Sequence, residues 1–114
     1  MTNNFDNYSN SDTYRFLKVP HVLLYGEKFT TMTVEAKLLY ALMQDRVSLS
    51  AKYNWRDKLG QLYIYYTIKE IEKMLNCGHN QALRILDELE TMNLIRRVHQ
   101  RKGRPTKFYV MELF

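Results

Sequence analysis

Four residues able to read nucleobases stand together at the head of an amphipathic segment: His79, Asn80, Gln81 and Arg84. Asn and Gln can hold an adenine edge through two hydrogen bonds, and Arg can hold guanine in the same way. A second group follows. Residues 94–107 contain Arg96, Arg97, Arg101, Lys102, Arg104 and Lys107, six bases with no acid among them. The formal net charge of the 114-residue chain is +5, yet the other 100 residues carry 11 bases against 12 acids. The excess therefore lies in one short segment, the electrostatic footprint of a polyanion binder. Taken alone, such a segment is equally a solubilising loop; the element before it decides.

Other chemistry has little to stand on. Cys77 and His79 form a C-x-H pair without the second pair a zinc site needs, so a structural cysteine in a turn is expected. His21 and His99 are isolated and read as surface or hairpin residues. Neither a nucleophile–base pairing nor a Gly-rich phosphate loop occurs. Asp45, Arg46 and the carboxylates at 87, 88 and 90 read as solvated helix faces. No enzyme activity, metal or cofactor is expected. The tyrosines at 63, 65 and 66, with Tyr53 and Trp55 just before them, read as core or interface material. Base stacking on single strands needs basic neighbours that the local sequence does not supply.

The elements that must hold these groups follow from periodicity and capping. At 46% hydrophobic and 25% charged residues, the composition is that of one globular domain. No apolar run approaches the ~18 residues of a membrane span, and the polar start has no secretory signal pattern, so a cytoplasmic location is expected. One cysteine excludes an internal disulfide. Residues 1–13, rich in Asn, Ser and Asp, read as a flexible arm, and the domain proper as 14–114. A short extended piece, 14–19, stops at Pro20, and a short helix over 21–25 ends at Gly26. Thr33 caps a long helix reaching about Ser50, with Ala36, Leu39, Tyr40, Met43 and Val47 as its inner stripe. After a polar loop, 62–66 reads as a strand.

Thr67 and Glu70 form a capping box for a helix over 68–75, whose inner face is Ile68, Ile71, Met74 and Leu75. The turn Asn76–Cys77–Gly78 leads to a helix over 79–92, with Ala82, Leu86 and Leu89 inward and Asn93 as its stop. Strands over 94–100 and 107–113 flank a tight basic turn. Two helices joined by a Gly-containing turn have helix-turn-helix spacing, and a basic hairpin behind them makes a winged helix. The fold expected is α+β, helices dominant, with a C-terminal β-hairpin wing. Its second helix suits the major groove, where His79, Asn80, Gln81 and Arg84 meet bases. Arg101, Lys102 and Arg104 of the wing hold backbone or minor groove, with Arg96, Arg97 and Lys107 as backbone contacts. The strand over 107–113 is apolar on both faces. One face packs on the helices; the other calls for cover from the N-terminal arm (Tyr8, Tyr14, Phe16) or from a second subunit. A homodimer built near the arm and the first long helix is expected.

The chain also resembles a family, the N-terminal domain of the RepA_N plasmid replication initiators of low-GC Gram-positive bacteria. The stretches that carry the resemblance are 14–24 (YRFLKVPHVLL), 33–50 (TVEAKLLYALMQDRVSLS), the loop 54–57 (NWRD), 63–77 (YIYYTIKEIEKMLNC) and 103–110 (GRPTKFYV). The long-helix run followed by the W-x-D loop is specific; the helix-turn-helix alone is not. The resemblance implies a winged helix related to domains of primosomal helicase loaders. It implies binding to duplex DNA at repeated origin sites (iterons), commonly within the initiator's own coding region. It also implies dimers, pairing of origins by dimers of dimers, and recruitment of host replication proteins through a C-terminal part this chain lacks. Gly78 departs from the pattern, since relatives often have Ser there, and a side-chain cap on the following helix is lost. A winged-helix transcriptional regulator and a protein–protein winged helix of replisome assembly remain alternatives.

Overall fold

The structure, a computed structural model, describes residues 16–113. The N-terminal arm, with Tyr8 and Tyr14, lies outside the described residues. In order along the chain come α1 (His21–Tyr25), a single 3-10 turn (Glu27–Phe29), α2 (Val34–Lys52), β1 (Ile64–Tyr65), α3 (Ile68–Leu75), α4 (His79–Thr91), β2 (Ile95–Val98) and β3 (Lys107–Val110). The strands form one antiparallel sheet of order β1-β3-β2.

α2 and α3 start where the sequence supplies a side-chain cap. The Thr33 hydroxyl accepts from Ala36 N at 3.2 Å, opening α2. At α3, Glu70 N donates to Thr67 Oγ1 at 3.0 Å, and Thr67 N donates to Glu70 Oε1 at 3.1 Å, closing the capping box. Asn76 ends α3 in the left-handed region, and Asn93 follows α4 in the same conformation. Gly78 precedes α4 with no side-chain cap bond.

The inner stripe of α2 is buried at Ala36, Leu39, Tyr40 and Met43 and half-buried at Val47. It packs with Ile71 of α3, with Ala82, Ile85, Leu86 and Leu89 of α4, and with Ile64, Ile95 and Phe108 of the sheet. This set is the core that fixes the helix pair against the wing. Met74, expected inward, is 38% exposed, because the α3 face is narrow and Ile71 alone reaches the centre.

The strands are shorter than their apolar runs predict. β1 keeps two residues because Leu62 bridges back to Arg56 within its own loop instead of pairing with β3. Regular pairing in β3 stops at Val110, although Met111 N still donates to Leu94 O at 2.8 Å. Phe108 and Tyr109, on opposite faces of β3, are both buried by the described chain itself, while the arm expected as cover lies outside the described residues. Phe108 faces the helices, and Tyr109 lies under the loop of 54–62 and the Arg96 guanidinium. Asp57 is that loop's organiser. Its Oδ1 accepts from Leu59 N and Gln61 N, each at 2.9 Å, and its Oδ2 accepts from Tyr109 Oη at 2.8 Å.

Candidate nucleic-acid interface

The first turns of α4 present His79, Asn80 and Arg84 to solvent, with Gln81 half-buried beside them. Inward neighbours Ala82, Ile85 and Leu86 are buried, so the polar set occupies the opposite face of the helix. Ala82 is fully buried, and its small side chain lets α3 and α4 cross closely. His79 Nδ1 is 3.5 Å from Glu72 Oε2 of α3, a contact that ties the helix start to its predecessor.

The wing turn holds Arg101, Lys102 and Arg104, all exposed and without an ion pair among the described residues. Gly103 turns the chain at φ +89°, a conformation that favours glycine. Arg104 N donates to Arg101 O at 2.9 Å, and the Gln100 side-chain Nε2 donates to Pro105 O at 2.6 Å, so the turn is held by bonds within the hairpin itself. A groove of about 310 Å³ separates wing and helices, lined by Thr67 and Ile68 of the α3 start, Leu83 of α4, and His99, Arg104 and Thr106 of the wing. The wing base and the helix pair thus face a common cleft.

The remaining three bases go elsewhere. Arg97 Nη2 lies 2.6 Å from both Asp87 Oδ1 and Glu90 Oε1, and Arg97 N donates to Glu90 Oε2 at 3.3 Å. Its hydrogen bond to Glu90 raises the guanidinium pKa further, and the same bond holds the Glu90 carboxyl below its ordinary value. The charge of Arg97 is spent joining wing to α4. Arg96 stacks over the Tyr109 ring at 4.4 Å, and Lys107 Nζ sits 4.4 Å over the Tyr63 ring. Both belong to the outer face of the sheet, away from the cleft-facing side on which Phe108 and Arg97 lie.

The carboxylates expected on solvated faces are structural. Glu88 accepts from Thr33 N at 2.7 Å and from Thr33 Oγ1 at 2.9 Å, clamping the start of α2 to α4. Arg46, also expected on a solvated face, donates to Tyr65 O at 2.7 Å and Glu70 Oε2 at 3.1 Å, and lies 3.7 Å over the Tyr66 ring. Sequence reading also missed Lys69 and Lys73 of α3, both exposed and without an ion pair among the described residues. Their signal in the sequence is two bases four residues apart, one helical turn, on the helix that precedes α4.

A helix pair at this spacing, followed by a hairpin that completes a three-stranded sheet, defines a winged helix-turn-helix domain. The family description "Replication initiator protein A (RepA) N-terminus" matches residues 15–114. The chain belongs to this RepA_N family. It is 30% identical over 103 residues to a 41 kDa protein of Lactobacillus helveticus, covering 85% of this chain and 29% of that protein. The chain thus spans under a third of that relative's length. Three solved structures share the architecture. The N-terminal domain of a DNA-binding protein and a Rep–DNA complex each superpose with TM-score 0.74 at 28% identity, over 92% of this chain and 82% of theirs. An MDR initiator superposes with TM-score 0.72 at 32% identity, over 92% and 84%.

Proposed function

We propose that residues 14–114 form a sequence-specific duplex-DNA-binding domain of a plasmid replication initiator, with residues 1–13 as an arm. The observation that carries this reading is the exposure of Asn80 and Arg84, with Gln81 half-buried beside them, in the first turns of the helix that precedes a wing whose tip bases Arg101, Lys102 and Arg104 have no ion pair among the described residues. In this reading α4 enters the major groove, and His79, Asn80, Gln81 and Arg84 meet base edges. Arg101, Lys102 and Arg104 engage backbone or the adjacent minor groove, with Lys69 and Lys73 as further phosphate contacts. Arg96 and Lys107 contribute field at longer range, and Arg97 holds the wing. The similar Rep–DNA complex supports the assignment.

The targets proposed are repeated origin sites, bound by a homodimer in the cytoplasm, with paired dimers holding origins together. Host replication proteins are recruited by a part of the protein beyond this chain. Exposed apolar side chains on α1 and α2, Leu24, Tyr25, Val34 and Leu38, support a dimer surface there. Among the described residues no helix is long and apolar enough to cross a membrane.

Fluorescence anisotropy on duplexes tiled from the coding gene, each against a shuffled control across a salt series, tests the reading. One region preferred by about 10³ or more, with steep salt dependence, is the expected result. Sequence-blind binding refutes it. Sedimentation that finds only monomer at high micromolar concentration removes the dimer.

A further inference from the structure

We propose a second nucleic-acid site, for unpaired strands, on the outer face of the sheet and its flanking loop, opposite the face that bears Arg97 and Phe108. Four aromatic rings run there as a ladder. The Tyr53–Trp55, Trp55–Tyr65 and Tyr63–Tyr65 centroids are 6.5, 6.0 and 5.4 Å apart. Tyr53 is 65% exposed and Trp55 42%, so their rings are open to a stacking partner. The local sequence offered no cations to such a site, but the fold brings them. Lys107, the cross-strand partner of Tyr65, places its ammonium over Tyr63. Lys52, next to Tyr53 in the chain, and Lys58, in the loop that follows Trp55, are exposed without an ion pair among the described residues. Arg56 donates only to Asn54 Oδ1 and Gly60 O, neutral acceptors that leave its charge unbalanced. The one acid in the loop, Asp57, keeps its charge while its oxygens hold internal donors, and it offsets Lys107, which leaves Lys52, Arg56 and Lys58 as the excess.

Aromatic platforms set among unbalanced bases are what a single strand of nucleic acid requires, since every base has a face to stack and every linkage a negative charge. A protein partner would be favoured by the exposed rings alone, but not by the excess of bases around them. The site shares no aromatic residue with the α4 face, so it stands or falls independently of duplex recognition.

Trp55 is the only tryptophan in the chain, so a base stacked on it reports itself by quenching. The 114-residue chain is titrated with dT20, with rU20 and with a 20-base-pair duplex lacking a preferred site. Quenching by dT20 or rU20 that exceeds quenching by the duplex is expected, and the tighter of the two strands identifies the source. Labelled-strand anisotropy then compares variants. Tyr53→Ala is expected to weaken single-strand binding at least about fivefold while leaving specific duplex binding and the melting temperature unchanged. Lys58→Ala is expected to weaken it less and to flatten its salt dependence. No quenching by either strand, or single-strand affinity that Tyr53→Ala leaves intact, overturns the proposal. Capture of a protein on this face without strand binding overturns it as well.

Discussion

Arg84 and Lys102 are both exposed bases, but their positions give them different work. Arg84 is exposed in the second turn of α4, while Lys102 is exposed in the wing turn. Arg84→Ala is expected to cost ~1–3 kcal/mol on the preferred duplex and to relax specificity. Equal losses on preferred and random duplexes refute its base-reading role. Lys102→Ala should weaken all duplexes alike and lower the salt slope by about one unit. Arg97 separates from both. With its side chain 16% exposed and tied to Asp87 and Glu90, Arg97→Ala should lower stability by about 1–2 kcal/mol, read by urea denaturation. An unchanged denaturation midpoint would return Arg97 to the list of free phosphate contacts. Composition made all six bases of 94–107 look alike. Strand alternation sends Arg96 and Arg97 to opposite faces, but which partners they meet there, Tyr109 for Arg96 and Asp87 with Glu90 for Arg97, is set by tertiary position.

At the level of elements, what was legible follows the range of the interactions involved. Thr33, Thr67 with Glu70, Asn76 and Asn93 act within one turn of their own position, and the starts of α2 and α3 and the ends of α3 and α4 fall where those residues place them. The two-faced burial of β3 was legible too, but its cover was not, because Asp57 and Arg96 reach Tyr109 from elsewhere in the chain. The basic neighbour of the aromatic ladder escaped for the same reason: Lys107 joins Tyr63 across strands. Gly78 offers a test of the local rules. It stands at the α4 N-cap in extended conformation (φ −82°), and a Cβ added there would meet nothing within 4 Å. Gly78→Ser therefore supplies a cap without strain and is expected to stabilise by only a few tenths of a kcal/mol, roughly the usual Ser–Gly difference. A destabilisation on chemical denaturation would show that glycine is needed in the turn itself.

Across the described molecule, two of the carboxylates that link separate layers, Asp57 and Glu90, titrate below their ordinary values. Backbone donation from Gln61 lowers Asp57, with the Tyr109 hydroxyl adding to it, and the Arg97 hydrogen bond lowers Glu90. One joins the loop to the outer sheet face and the other joins α4 to the wing. Because each folded value lies below the unfolded one, the unfolded chain binds more protons through the acid range. The stability these groups contribute is therefore fully present above the ordinary carboxylate range, roughly pH 4. It is lost as pH falls through their folded values. Melting temperature should hold on descending toward that range and then drop. Asp57→Asn and Glu90→Gln should each flatten the drop while lowering stability at neutral pH, since each removes a charged acceptor. The two should add, because the groups occupy opposite faces of the sheet and share no partner. If the double variant keeps the full acid slope, other carboxylates carry the acid dependence, and the layers are held by the packing of Ile95 and Phe108 on α4 without a contribution from these two.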